Sequence, residues 1–153
     1  MDRKASLVAA LKAVLYGSLV GAAIPTAITT IVATGMASDG FSDGGVIVLL
    51  VVTPFLICLA AGLGGFIFLG IPFTLLLRRL DMETGANYGV GGAAVGAGAL
   101  MLGSWLIDAD MFGALLFSFF GIVTGGAIGY FWWRFGRRPV VEATSAETAE
   151  VFL

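Results

Sequence analysis

Few side chains in this sequence have the types and spacing that chemistry asks for. The candidates for acid–base work are Asp81, Glu83, Asp108 and Asp110, since a reaction at a bilayer interface needs at least a positioned carboxyl group. Asp108 and Asp110 stand two apart in a short connection, which suits capping or solvating a turn better than sharing a proton. Histidine is absent, which removes the commonest general base, the commonest zinc ligand and the usual haem ligand. The one cysteine, Cys58, lies in an apolar run. It leaves no intramolecular disulfide, CxxC pair or cysteine metal cluster to form. No catalytic, cofactor-binding or metal-binding residue is assigned. The chain reads as a non-enzyme without a cofactor.

Hydroxyl groups form the second polar set. Thr26, Thr29 and Thr30 follow Pro25, and Thr53 precedes Pro54. Helices interrupted by proline are where transporters place binding sites, so Pro25, Thr26, Thr29, Thr30 and Pro54 mark a possible pathway. The plainer reading is that the prolines are tolerated kinks and the threonines bond to their own backbone. Thr74, Ser104, Ser118 and Thr124 read the same way. No ionisable residue falls near the centre of an apolar segment, where proton-coupled carriers and carriers of charged substrates place one.

The elements that would position these groups are apolar. Of 153 residues, 59% are hydrophobic and 12% charged, against about 45–50% and about 25% in ordinary soluble domains. Too little polar surface exists to coat a globule. Four apolar segments separate, at about 13–34, 46–77, 87–107 and 111–133. A membrane helix needs about 20 apolar residues, and these runs are unbroken rather than alternating, which selects helices over barrel strands. The fold class is therefore all-α, a polytopic membrane protein with four transmembrane helices. Apolar character past residue 24 makes the first segment a retained helix, since a signal core is shorter. Segment 46–77 is long for one crossing and short for two. Thr53-Pro54 matches an N-cap followed by a first-turn proline, which would leave 46–52 as a separate interfacial piece. A continuous helix kinked at Pro54 is preferred, because an isolated apolar strand has no partner edge.

Charge placement sets an orientation. All eight basic residues fall on one side: Arg3, Lys4, Lys12, Arg78, Arg79, Arg134, Arg137 and Arg138. The other connections carry only Asp39, Asp43, Asp108 and Asp110. The positive-inside rule then puts both termini in the cytoplasm and the spans in two hairpins, in a bacterial cytoplasmic membrane. Trp105 and Phe112 mark the outer interface, and Tyr130, Trp132 and Trp133 the inner one. Residues 1–139 form the membrane domain and 140–153 an acidic cytoplasmic tail. A net charge of -2, without a basic face, excludes nucleic acid as a partner.

The 23 glycines concentrate inside the spans. Gly89, Gly92, Gly96 and Gly103, with Gly85 and Ala99, recur at alternating steps of four and three along one face of the third helix. Gly121, Gly125 and Gly129 repeat the pattern in the fourth, Gly17 and Gly21 in the first, Gly62 and Gly65 in the second. Such faces let backbones approach closely where lipid offers no hydrophobic drive. Ordinary packing is preferred to a glycine-lined pore, which would also call for rings of charged or carbonyl groups. The function that fits is an accessory or structural subunit of a larger membrane complex, its partners being the bilayer and another membrane protein or itself. The Phe117, Phe119 and Phe120 cluster would face a partner or lipid. The alternative is a small homo-oligomeric channel or carrier for a small ion or neutral solute.

Overall fold

The computed structural model describes residues 3–40, 43–106, 108 and 110–151. The expected end of the third span at residue 107, and residues 1, 2, 152 and 153 of the two terminal stretches, lie outside the described residues. The order is α1 (Arg3–Ser38), α2 (Gly44–Gly65), α3 (Ile71–Arg79), α4 (Gly85–Leu106), α5 (Met111–Trp132) and α6 (Arg138–Val151). A π-helical turn joins α2 to α3 at Phe66–Gly70, and a second joins α5 to α6 at Trp133–Arg137. Among the described residues, four helical rods are long and apolar enough to cross a membrane: Lys4–Ser38, Gly44–Arg79, Gly85–Leu106 and Met111–Ala143. With 36 residues, α1 reaches about 54 Å at 1.5 Å per residue, well beyond the hydrocarbon thickness.

Local chemistry explains where the helices begin and end. Asp43 caps α2, its Oδ1 accepting from the Gly45 and Val46 N–H groups at 3.0 and 3.3 Å, and these are donors a helix start leaves unpaired. The second span therefore starts at Gly44 rather than at Thr53-Pro54, and residues 46–52 belong to it. Thr53 instead donates to the Leu49 carbonyl at 2.6 Å. Asp110 caps α5 in the same way, accepting from Gly113 N–H at 2.7 Å. The α3 C-terminus closes with Asp81 in the left-handed region at φ 51. The N–H groups of Asp81 and Met82 then donate to the Arg78 and Leu77 carbonyls, a glycine-type ending made here with aspartate.

Both π turns end two residues before a proline, at Gly70-Ile71-Pro72 and Arg137-Arg138-Pro139. A proline lacks the N–H that an α-turn would use, and its ring crowds the carbonyl four residues back. Widening the preceding turn by one residue relieves that conflict. At the first turn, Ile71 N–H reaches the Phe66 carbonyl, and at the second, Arg138 N–H reaches the Trp133 carbonyl. Pro25 and Pro54, by contrast, sit inside α-helix.

The core is built mostly from small residues, with Leu77, Tyr88 and Ile128 as its larger members, and most other large side chains point outward. Ala9, Ala13, Val14, Ser18 and Ala22 of α1 are buried, while many leucines, isoleucines and phenylalanines of all four rods are exposed. Lipid tails solvate those side chains as well as a protein interior does, so close backbone packing decides the arrangement. Helix α1 packs against both α2 and α5, α4 packs along α5, and α2 touches α4 and α5 only sparingly.

The α4–α5 contact is backbone to backbone and antiparallel. A Cβ at Gly92 would run into the Gly125 carbonyl, one at Gly96 into that of Gly121, and one at Gly129 into that of Tyr88. On α1, Gly17 lies against Ile128 and Gly21 against Thr124. Gly62 of α2 admits Ile128 Cδ1 and Ser18 Oγ at 2.8 and 3.2 Å from its Cβ position.

Candidate functional site

The α1–α2 and α4–α5 contacts leave a gap between α2–α3 and α4, floored by α5. It is a cavity of about 100 Å³, open on one side. From α2 come Cys58, Ala61 and Gly65, and from α4 come Gly92, Val95 and Ala99. The walls are mostly apolar, from glycines and alanines to Ile57, Val95 and Leu100; Cys58 and Thr124 meet within them, and Thr74, Tyr88 and Trp132 gather at one end.

That end is a linked network. Trp132 Nε1 donates to Thr74 Oγ1 at 3.0 Å, and Thr74 donates in turn to the Gly70 carbonyl at 2.8 Å, inside the first π turn. The Phe66 ring meets Trp132 edge-on at 5.1 Å between centroids. Phe73 packs edge-on against Tyr88, made possible by Gly91, whose missing Cβ admits the Phe73 ring. Tyr88, buried among these, donates its hydroxyl to Glu83 Oε1 at 2.9 Å. Arg137 completes the network with two parallel bonds, Nε to Oε1 and Nη2 to Oε2, both 2.7 Å. Its position in the second π turn brings it to the connection between α3 and α4.

The Glu83–Arg137 side chains are only 14% and 15% exposed. The Arg137 hydrogen bonds hold the Glu83 carboxyl below its ordinary value, outweighing the effect of partial burial, and the Tyr88 hydroxyl acts in the same direction. Ionised and with both oxygens bonded to Arg137, Glu83 is an acceptor that ties two elements together. A second hollow of about 350 Å³ lies beside Ser6, Leu7 and Ala10 of α1 and shares Phe66, Thr74 and Trp132 with the cleft. These three residues form the partition between the two spaces.

The residues singled out by spacing divide into groups. Gly17, Gly21, Gly62, Gly92, Gly96, Gly121, Gly125 and Gly129 sit at helix contacts, and a Cβ at Gly89 would lie 4.0 Å from the Gly126 carbonyl. Gly65 and Gly103 do not belong to that set, because a Cβ there would meet nothing within 4 Å. Spacing selects a helix face, but it does not say how far along that face the neighbour stays close. Pro25, Thr26, Thr29, Thr30 and Pro54 line neither hollow. Thr29 and Thr30 both donate to the Thr26 carbonyl, at 3.1 and 2.7 Å.

The other polar expectations change more. Thr74 bonds its own helix and also accepts from Trp132. Thr124 reaches Cys58 Sγ at 3.9 Å, across to α2. Ser104 bonds back to Met101, whereas the buried Ser118 Oγ has no partner. Trp132 turns toward Thr74 and Phe66, and Trp133 packs over Gly85 and under Arg138. Of the four carboxylates, Asp81 closes a helix, Glu83 pairs with Arg137 and Asp110 caps α5; Asp108 adopts φ 51. Among the described residues, no three His, Cys, Asp or Glu side chains gather as a metal site would require.

The Glu83–Tyr88–Arg137 cluster was outside the reach of residue spacing. Its one sequence signal is an acid placed among the arginines of the basic end. Comparison with protein-family models, with curated protein sequences and with solved structures gives no match for this chain.

Proposed function

We propose that this chain is a non-enzymatic accessory subunit of a larger membrane complex, with its four spans in two hairpins and both termini in the cytoplasm of a bacterial cell. One-sided basic residues support the orientation. The observation that carries the subunit role is the set of glycines with open space beside them. Gly64 and Gly65 on α2, and Gly98 and Gly103 on α4, have nothing within 4 Å of a Cβ position. Glycine weakens a helix interior by roughly 1 kcal/mol relative to alanine, and close approach of another backbone offsets that cost. Inside the chain nothing makes that approach at these four positions, so a helix of another membrane protein is proposed to do so.

The accessory reading is favoured over the channel because a Cβ at Gly121 or Gly125 would meet the Gly96 or Gly92 carbonyl of α4, and Thr29 and Thr30 bond within α1. A photo-cross-linking amino acid at position 98 in native membranes, together with flux measurement on the purified protein in liposomes, tests the proposal. The expected result is cross-linking to a different membrane protein and no flux of small ions or neutral solutes. Selective flux that responds to Thr29 and Thr30 substitutions, with cross-links only between identical chains, would overturn it.

A further inference from the structure

We propose that the Glu83–Arg137 pair is a strap that holds α3 closed across the basic end of the cleft, and that its release lets α3 swing toward α1 and open that end to water. Helix α3 is sparsely braced. Of its nine residues Leu77 alone is buried, and beyond the π turn that carries it little of the bundle comes close. Such packing marks a segment that opens more readily than the rest of a fold. Space lies on both flanks of α3. Phe73 and Thr74 face the cleft of about 100 Å³, while Ile71, Thr74 and Leu75 face the hollow of about 350 Å³ beside Ser6, Leu7 and Ala10 of α1. The larger space sets the direction of movement. A helix of nine residues, about 13 Å long and about 10 Å across, sweeps about 270 Å³ in moving about 2 Å. The hollow accommodates that shift, which is enough to break a hydrogen bond.

A hinge and a tie stand at opposite ends of α3. The hinge is the π turn Phe66–Gly70, which follows Gly64-Gly65 and ends in glycine. A Cβ at Gly64 or Gly65 would meet nothing within 4 Å, so no other part of the chain braces the backbone there. The tie is Glu83, in the connection that follows α3. It makes two 2.7 Å bonds to Arg137 in the second π turn and accepts the Tyr88 hydroxyl. Between hinge and tie, Thr74 accepts from Trp132 at 3.0 Å, and Phe73 meets Tyr88 edge-on. A neutral hydrogen bond and a ring contact are each weaker than a bidentate charged pair, so Glu83 decides whether α3 stays closed. The inference rests on membrane insertion and not on the accessory role, so the two fail separately.

Cys58, the one cysteine, reports on opening. It lines the cleft against Thr124, which stands about 12 Å before Trp132 along α5. The test follows modification of Cys58 by a charged, membrane-impermeant methanethiosulfonate reagent, using mass spectrometry on the full chain in phosphatidylcholine nanodiscs. Glu83→Gln should speed modification about tenfold, the factor a charge-assisted hydrogen bond supplies, and Thr74→Val about threefold. Ala10→Phe, which fills the hollow beside α1, should return Glu83→Gln to the parent rate and slow the parent itself. A general loss of stability would not be reversed by that substitution. Melting temperatures exclude unfolded variants, and the Glu83→Gln and Ala10→Phe arms each decide without the other. Rates indifferent to Glu83→Gln and Thr74→Val, acceleration that survives Ala10→Phe, or a parent rate unchanged by Ala10→Phe would overturn the inference.

Discussion

At the scale of single residues, the glycines and one ion pair do most of the explaining. Leucine at position 92 or 96 would drive a side chain into a carbonyl of α5, where neither backbone can move independently. We expect losses at the upper end of the about 1–3 kcal/mol typical of overpacking, or beyond it. Gly98→Leu, with open space beside it, should leave thermal stability in detergent nearly unchanged; equal losses at all three positions would contradict the packing described. Glu83→Gln leaves Arg137 facing a neutral amide, with an expected cost of about 2 kcal/mol. Because the folded state lowers the Glu83 pKa, the pair's stabilisation is fully present above the unfolded carboxylate value of about 4.3 and is lost as pH falls through the folded value. Melting between pH 7 and 5 should therefore not register this group, whereas below about pH 4 the parent should lose more stability than Glu83→Gln. Identical acid profiles would count against the pairing. The glycine face of α4 is readable from spacing alone, because every third or fourth position returns to one side of a helix. The ion pair is not, because its partners lie 54 residues apart and meet only through a π turn.

At the scale of elements, proline placement shapes the second and fourth spans. Four apolar helices are implied directly by composition and run length, and four such rods are present among the described residues. The start of the second is harder to read. Thr53-Pro54 has the form of a helix start, yet a free-standing apolar segment before it would leave backbone groups unpaired in lipid, and the helix continues back to Asp43 instead. Pro72 and Pro139 show a different response, a widened turn on the N-terminal side. Replacing Pro72 with alanine restores an N–H able to reach the Phe68 carbonyl, so the π turn should relax to α-helix. One residue less in that turn rotates the rest of α3 by about 100°, which carries Thr74 away from Trp132. The expected outcome is a reduced near-ultraviolet dichroism of Trp132 in a Trp105→Phe/Trp133→Phe background, which keeps it as the one tryptophan. An unchanged signal would mean that the π turn has another cause. Spacing rules do not encode such turns, which is why Thr74 reads in sequence as bonding its own helix alone.

At the scale of the whole molecule, the two questions are which way it lies in the membrane and what it meets there. Cysteine placed at position 39 or 145 in a Cys58→Ser background should react with an impermeant reagent from outside intact cells at 39 and only after lysis at 145. Outside labelling at 145 would reverse the topology. Side chains turned outward fit lipid almost everywhere, and the open glycines of α2 and α4 are the exception, since lipid gains nothing from them that a leucine would not supply. Residue types alone do not separate these glycines from the packed ones; only the divergence of the helices in space does. The most direct test of the accessory role is the mass and composition of the assembly released from native membranes by a mild detergent, compared between the parent and a Gly98→Leu/Gly103→Leu variant. The account predicts a complex containing a different membrane protein in the parent, and a smaller particle without it in a variant of unchanged melting temperature. Release of monomers or homo-oligomers alone, or a complex indifferent to both substitutions, would contradict it.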